Sequence, residues 1–461
     1  MVVEGWLARA AAARPERTAL HTPGGSCSYA QLHAAARLGA AELSARGAGQ
    51  GSRVAIALPA GLGFAQTLHA CLLLGAVAVP VDLRLSPAER AHIAGGADVI
   101  VDEPLGETGA GATKDVRLAN GHDLDAIAVV IHTSGTTASP RPVELTYGNL
   151  LWSALGSAVA LGLDPQERWL CALPLSHVGG LSILVRSAVY ATTAVVHERF
   201  EVDRVLHALR EEDITLVSLV ATTLARLLDA GMERPTTPSG RGAPLRCALT
   251  GGGPIPAALV GRAHAAGVPV SLTYGLTECC SQVTTTPVAS IDADPAQPPS
   301  AGPPLFCTRV RIDGASAEQP AAGEILVAGP TIAPGSLAAD GWLYTGDLGS
   351  LDEHGRLHVT GRKADTIVSG GENVAPAEVE AVLETHPDVL EAAVLPRADE
   401  RWGEAVAAIV VPRPGSALAA ETVRAHCATY LAGYKVPKQV DFTGTPLPRT
   451  RSGKLLRRNL S

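Results

Sequence analysis

Residues 132–146, HTSGTTASPRPVELT, place three Thr, a Ser and a Gly within six positions, directly after the apolar run AIAVVI. Thr133, Ser134, Thr136 and Thr137 offer hydroxyl donors, and Gly135 lets backbone N–H groups approach an anion closely. Such a loop cradles phosphate oxygens or is a plain polar turn, and alone it does not decide between them. It is not a Walker loop, because GxxxxGK[ST] is absent. Four later stretches carry comparable chemistry. YGLTE (274–278) ends a strand pattern with an aromatic face, a hydroxyl and a carboxylate. YTGD (344–347) sets an Asp after a tight turn. GRKADTIVSGGENV (361–374) holds an Arg and a double-Gly turn, and PRTRSGKLLRR (448–458) holds one Lys in a basic tail. Each has a bland reading: Glu278 as a capping acid, Asp347 as a turn residue, Lys454 as one cation in a solvated tail.

These stretches need a scaffold, and the chain is long enough for one. At 461 residues, two or more domains are the default. Hydrophobic residues at 46% and charged residues at 18% suit a globular enzyme rather than a disordered or coiled protein. The net charge of −8 gives the whole chain no electrostatic footprint for nucleic acid. The eight Cys include no CxxC pair, so neither a zinc site nor a redox motif is indicated, and a reducing cytoplasm is expected. The first residues lack a basic head followed by an apolar block. The most apolar stretch is broken by His69, Gly75 and Pro80 and falls short of a membrane span. A homo-oligomer stays open.

Up to about residue 360, helical and strand patterns alternate. YAQLHAAARLGAAELSAR reads as a helix, RVAIAL as a strand, GFAQTLHACLLLG as a helix and AVAVPVD as a strand. The rhythm returns from VDRVLHALREED to VPVSLTYG. Uniformly apolar strands between helices predict an α/β fold, with parallel-rich sheets covered on both faces. The Ser/Thr loop is expected at the carboxyl edge of such a sheet, between a strand and the helix NLLWSALGSAVALGL. From about 292 to 340, Pro, Gly and short alternating strands (RVRI, GEILVAG) predict a β-rich subdomain. The last stretch predicts a small α+β domain of about 100 residues. We place the boundary at Gly361, giving a large domain 1–361 and a small one 362–461.

Taken together, the order and spacing of these stretches resemble the adenylate-forming superfamily of acyl-CoA synthetases, carrier-protein adenylation domains and luciferases. Within it, LTYGNLLWSALGSAVALGL, LPLSHVGGLSILVRS, LTGGGPIPAAL and SGGENVAPAEVEAVLETHPDV look most like the o-succinylbenzoate–CoA ligases. The resemblance implies activation of an aryl carboxylic acid by ATP with Mg²⁺, then transfer to CoA, and a small domain that is mobile. It implies that Ser134, Gly135, Thr136 and Thr137, with Thr133, hold phosphates, that Thr277 touches the α-phosphate, and that Glu278 ligates Mg²⁺. Tyr274 would stack on adenine, Gly251, Gly252 and Gly253 would form the slot wall, Asp347 would accept the ribose hydroxyls, and Arg362 would bond ribose or phosphate. Lys454 would bridge the acyl carboxylate and the α-phosphate. Ala364 would be the hinge, and Gly370 and Gly371 would pass the pantetheine.

His177 falls at the mouth of the family's acyl pocket. Arg186 is the candidate partner for the spare carboxylate of a dicarboxylic acid, since burying an unpaired carboxylate is costly; the competing reading is a surface-pointing helix residue. Few aromatic side chains speak against a long greasy acyl tunnel. Cys279 and Cys280 read as small packing residues. The alternatives are another aryl- or acyl-CoA ligase, a free-standing adenylation domain loading a carrier protein, and a non-catalytic nucleotide-binding relative. One departure is notable: where the superfamily loop continues Gly-x-Pro-Lys-Gly, this chain has Ala138, Arg141 and Pro142, predicting a looser phosphate grip. Ala at the hinge position 364 also lacks any side-chain latch.

Overall fold

The computed structural model describes residues 1–106, 116–133, 141–233, 245–288, 299–315, 322–369, 372–399, 403–449 and 455–460. An eight-stranded sheet runs in the order Ser281–Thr285, Val270–Leu276, Cys247–Thr250, Leu216–Leu219, Arg168–Cys171, Thr193–Val196, Thr18–Thr22, Gly25–Ser28. The strands from Val270–Leu276 to Thr18–Thr22 are parallel, and each edge strand is antiparallel to its neighbour. A second, five-stranded sheet has the order Val99–Val101, Arg53–Ile56, Val77–Pro80, Ile127–Thr133, Arg141–Thr146.

The helices obey the sequence. Leu62–Leu74 is apolar apart from Gln66, Thr67 and His69, and Phe64 to Leu74 are buried, as expected for a helix between covered faces. Gly75, at φ 71°, ends it in the left-handed conformation that lacks a Cβ penalty. Tyr29–Ala45 starts on a reciprocal Ser28–Gln31 capping box. One core cluster, containing Leu43, Leu68, Ile131, Leu145, Leu181 and Val196, joins elements of both sheets.

A four-stranded antiparallel sheet follows, Arg309–Ile312, Gly323–Ala328, Leu343–Leu351 and Leu357–Arg362, which is the expected β-rich subdomain. The final domain has its own core around Ile367, Val379, Leu383, Val394, Val410 and Val423. Its five-stranded sheet is flanked by helices Pro376–Glu384 and Ala420–Tyr430.

One expectation is corrected. The Ser/Thr stretch does not lead directly into a helix, because strand Arg141–Thr146 returns antiparallel to Ile127–Thr133 before helix Tyr147–Leu161 begins. Pro142 fits this strand because it lies at the sheet edge, where a missing N–H is tolerated.

Candidate active site

Strands Cys247–Thr250 and Val270–Leu276 are parallel neighbours, with Thr250 beside Leu272, so their carboxyl ends emerge together. Gly251 follows the first. A Cβ there would lie 2.6 Å from Thr273 Cγ2 and 2.8 Å from the Thr273 carbonyl oxygen, so only glycine fits beside the next strand. Gly252 turns the chain at φ 83°, and Gly253 faces open space. Tyr274 is one residue beyond Thr273. Its hydroxyl donates to Asp347 Oδ2 at 2.8 Å, and burial, reinforced by the Asp347 charge, pushes the phenol pKa far up, so the proton stays on Tyr274. Asp347 is 5% exposed, and its other oxygen takes Arg362 Nε at 3.0 Å.

Asp347 and Arg362 are direct partners in the antiparallel ladder, which fixes their approach. The turn before Asp347 is equally held. Thr345 Oγ1 accepts from the Asp347 N–H at 3.1 Å, and Glu324 accepts from the Gly346 N–H at 3.0 Å and from Lys363 Nζ at 2.9 Å. A carboxylate has about four lone-pair sites, so Asp347 keeps acceptor capacity for further donors.

Thr277–Cys279 forms a short 3-10 turn carrying Glu278, which is partly exposed. The Glu278 carbonyl accepts from the Ala333 N–H at 2.8 Å. Strand Arg141–Thr146, which follows the Ser/Thr stretch in the chain, packs against this turn. Asn149 Nδ2, at the start of the following helix, donates to the Pro330 and Ile332 carbonyls at 2.9 Å each. Cys279 and Cys280 are fully buried. Burial pushes the Cys279 thiol far up and the Cys280 thiol up to about 12, so both stay protonated and act as packing. Among the described residues, no group of three or more His, Cys, Asp or Glu could hold a metal by itself.

His177 leaves strand Arg168–Cys171 and precedes helix Val178–Tyr190. It meets residues that leave the other sheet after strand Val77–Pro80. Arg84 Nη2 is 3.1 Å from His177 Nε2, Asp82 Oδ2 is 3.6 Å from the same nitrogen, and Arg84 grips Asp82 at 2.8 and 2.6 Å. Burial alone would raise the Asp82 carboxyl, but Arg84 outweighs it and holds it below the usual range. The sequence reading missed Asp82 and Arg84; the signal was an Asp-x-Arg directly after a buried strand.

Arg186 does not point to the surface. It is 2% exposed, donates from Nη2 to Ser153 Oγ at 3.1 Å, and lies 5.5 Å from the Trp169 ring centre. Its Nε has no hydrogen-bond partner, and no carboxylate pairs with it, among the described residues. Burial lowers its pKa, yet a guanidinium keeps its charge.

Thr133 ends its strand with Oγ1 donating to the Arg141 carbonyl at 3.3 Å. Ser134, Gly135, Thr136, Thr137, Ala138, Gly370, Gly371 and Lys454 lie outside the described residues. The residues bracketing Lys454 are held: Arg449 pairs with Leu455 across a β-bridge and with Glu391 at 3.0 Å. Arg457 pairs with Glu380 at 2.7 and 2.6 Å and with Asp365 at 3.1 Å. Ala364 sits in the turn Lys363–Asp365. Lys363 is tied to Glu324 of the four-stranded sheet and Asp365 to Arg457 of the small domain.

Two family descriptions match the chain, AMP-binding enzyme over residues 7–337 and AMP-binding enzyme C-terminal domain over residues 378–454. A 2-succinylbenzoate–CoA ligase of Bacillus subtilis is 38% identical, over 99% of this chain and 97% of its own length. The o-succinylbenzoate CoA synthetase structure from B. subtilis with its acyl-adenylate OSB-AMP superposes at a TM-score of 0.89 and 36% identity, covering 100% of this chain and 98% of that one. The same enzyme with ATP and magnesium ion gives 0.88 and 37%, covering all of both chains. ATP-bound MatB from Rhodopseudomonas palustris gives 0.87 and 27%, covering 99% of this chain and 98% of that one.

Proposed function

Because the chain belongs to the family of AMP-binding enzymes and is an adenylate-forming CoA ligase, we propose that its acid is o-succinylbenzoate and its product o-succinylbenzoyl-CoA, with AMP and pyrophosphate released. The observation that carries the choice of acid is Arg186, a buried cation without a carboxylate partner among the described residues, in a chain similar over 99% of its length to 2-succinylbenzoate–CoA ligases. Buried charges are normally paired. The acid has two carboxylates, only one is activated, and Arg186 is the counter-charge we assign to the other.

In the first half-reaction a carboxylate oxygen of the succinyl arm attacks the α-phosphorus, and the bond to pyrophosphate breaks. All the reacting groups are anionic, so the site must neutralise charge as it moves. Tyr274 would lie along the adenine with its hydroxyl fixed on Asp347, and Asp347 would accept the ribose hydroxyls. Arg362 reaches the same carboxylate and would bond ribose or phosphate. Gly251, Gly252 and Gly253 would wall the slot, and Thr277 would donate to the α-phosphate. The Ser134–Thr137 stretch, with Thr133 at its base, would hold the leaving phosphates.

Glu278 would supply one hard oxygen to Mg²⁺, which suits an ion that takes one or two carboxylates plus phosphate oxygens. When bound, the ion screens charge on the triphosphate. His177, fixed by Arg84 and Asp82, would close the acyl pocket. Lys454 would lie between acyl carboxylate and α-phosphate during this step.

In the second half-reaction the small domain turns about Ala364. Lys454 withdraws, and Gly370 and Gly371 pass the pantetheine thiolate toward the acyl carbonyl. The new C–S bond forms as the C–O bond to AMP breaks. Ala has no side chain to latch this turn, and the ion pairs on Lys363 and Asp365 support motion confined to the residue between them. The 27%-identical MatB keeps a second reading alive, that of a CoA ligase for a different acid. The two separate in a panel of o-succinylbenzoate, benzoate and medium-chain acids with ATP, Mg²⁺ and CoA. Thioester from o-succinylbenzoate at a kcat/KM at least about tenfold above the others is expected; preference for any monoacid refutes the assignment.

A further inference from the structure

Two successive non-glycine residues just after the Glu278 turn occupy the left-handed region, Cys280 at φ 53° and Ser281 at φ 97°. Such backbone persists only where its surroundings over-determine it. Three contacts hold it here. Ser281 pairs with Leu276 across the antiparallel ladder. Gly275 lies so close that a Cβ there would sit 1.6 Å from the Ser281 carbonyl oxygen. The third contact comes from helix Tyr147–Leu161, where Ser153 Oγ, in a residue 1% exposed, donates to the Cys280 carbonyl at 2.6 Å.

That last hydroxyl is itself oriented. Arg186 Nη2 donates to Ser153 Oγ at 3.1 Å, which occupies the acceptor side of the oxygen and commits its single proton to Cys280. The Arg186–Ser153–Cys280 chain is charge-assisted and wholly buried, where such chains polarise and strengthen. The Glu278 turn is tied at Glu278 itself by the Ala333 N–H and two residues on by Ser153, so releasing Cys280 removes one of the two ties that aim the carboxylate.

We propose that Ser153 is a positioning residue for Glu278: oriented by Arg186, it anchors the Cys280 carbonyl and thereby aims the carboxylate at the metal and phosphate position. Arg186 then has two duties, as counter-charge in the acyl pocket and as the outer end of this chain. The inference rests on the ligase reading above and on Glu278 as the magnesium-binding carboxylate.

The test is ATP–pyrophosphate exchange with o-succinylbenzoate, titrated with Mg²⁺, for the parent and Ser153→Ala. Expected are a rise of about tenfold in half-saturating Mg²⁺ and a similar fall in exchange kcat, the scale of losing a partner behind a metal ligand. KM for the acid stays within about twofold, and Ser153→Thr, which retains the hydroxyl, recovers at least half of the loss. Thermal melting, and AMP affinity measured without Mg²⁺, report whether the pocket is folded. Adding Arg186→Met to Ser153→Ala shifts the Mg²⁺ dependence little further, because both act through one chain.

An unchanged Mg²⁺ dependence in Ser153→Ala, or fully additive shifts in the double variant, overturns the proposal. If Ser153→Ala does not fold, Arg186→Met alone decides: a raised Mg²⁺ requirement supports the chain, and a change confined to KM for the acid refutes it. A parent that exchanges pyrophosphate with no acid at all sinks the ligase reading itself, which an active parent with a flat Mg²⁺ response in the variant does not.

Discussion

Gly251 and Gly253 lie two residues apart in one glycine run, yet the structure assigns them opposite sensitivities. A methyl group at 251 would stand 2.6 Å from Thr273 Cγ2 and 2.8 Å from the Thr273 carbonyl oxygen, well inside contact distance. Thr273 is held in turn, with its hydroxyl donating to the Thr284 carbonyl at 2.7 Å, so the strand cannot give without disturbing Tyr274 next to it. Overpacking of this kind costs about 1–3 kcal/mol. At about 1.4 kcal/mol per factor of ten, that is between roughly 5- and 150-fold, divided between folding stability and nucleotide binding. At 253 a methyl group would meet nothing within 4 Å.

Gly251→Ala is therefore expected to lose about 1–3 kcal/mol over urea unfolding and ATP binding together, seen as a lowered unfolding midpoint and a KM for ATP raised by up to about tenfold. Gly253→Ala should unfold like the parent to within about 0.5 kcal/mol, and should change KM for ATP by less than Gly251→Ala does. Parent-like stability and parent-like ATP saturation in Gly251→Ala would refute the packing argument and the slot together.

Lys454→Ala should slow adenylation by at least about 100-fold, the scale of losing one preorganised charge partner, while thioester formation from supplied acyl-adenylate is largely spared; equal loss in both halves contradicts the division of labour. Acid should act through His69 and His122, whose pKa values burial lowers to about 4, the charge of the neighbouring His122 adding to the effect at His69. His122 Nε2 accepts from the Trp6 N–H at 3.3 Å, which requires a neutral ring, and that ring stacks on Tyr147 at 4.5 Å. Because folding depresses both values below about 6.5, this stability is complete above pH 6.5 and is lost as pH falls toward 4, by about 3 kcal/mol per histidine. Urea unfolding of the parent against His69→Leu checks it, since the variant should show the shallower fall between pH 6.5 and 4.5 and an identical slope removes the attribution.

Much of this was legible in the residues. Periodicity places the helices Tyr29–Ala45 and Val202–Glu211, because their apolar faces are what the sheets bury. YGLTE and YTGD point to one site only through the family resemblance, and the structure brings Tyr274, Asp347 and Arg362 into direct contact from three different strands. The edge strand Arg141–Thr146 was not legible, because Pro142 hides its alternation. Nor was the pairing of Thr18–Thr22 with Thr193–Val196, which is a tertiary choice about 175 residues apart that no local pattern encodes. Arg84 and Ser153 escaped for a similar reason. Arg84 had only the faint Asp-x-Arg signal after its strand, and Ser153 is an ordinary helix residue until the fold sets it against Cys280. The surface reading of Arg186 failed because nothing in its own helix signals that the opposite wall carries Ser153 and Trp169.

The most direct measurement is a single turnover with enzyme in excess over o-succinylbenzoate, ATP and Mg²⁺ present, and CoA withheld until a second mixing step. The account predicts o-succinylbenzoyl-AMP and equimolar pyrophosphate before the second mix, and thioester with released AMP after it. Formation of ADP and phosphate, or of no adenylate with this acid while another acid forms one, would contradict it.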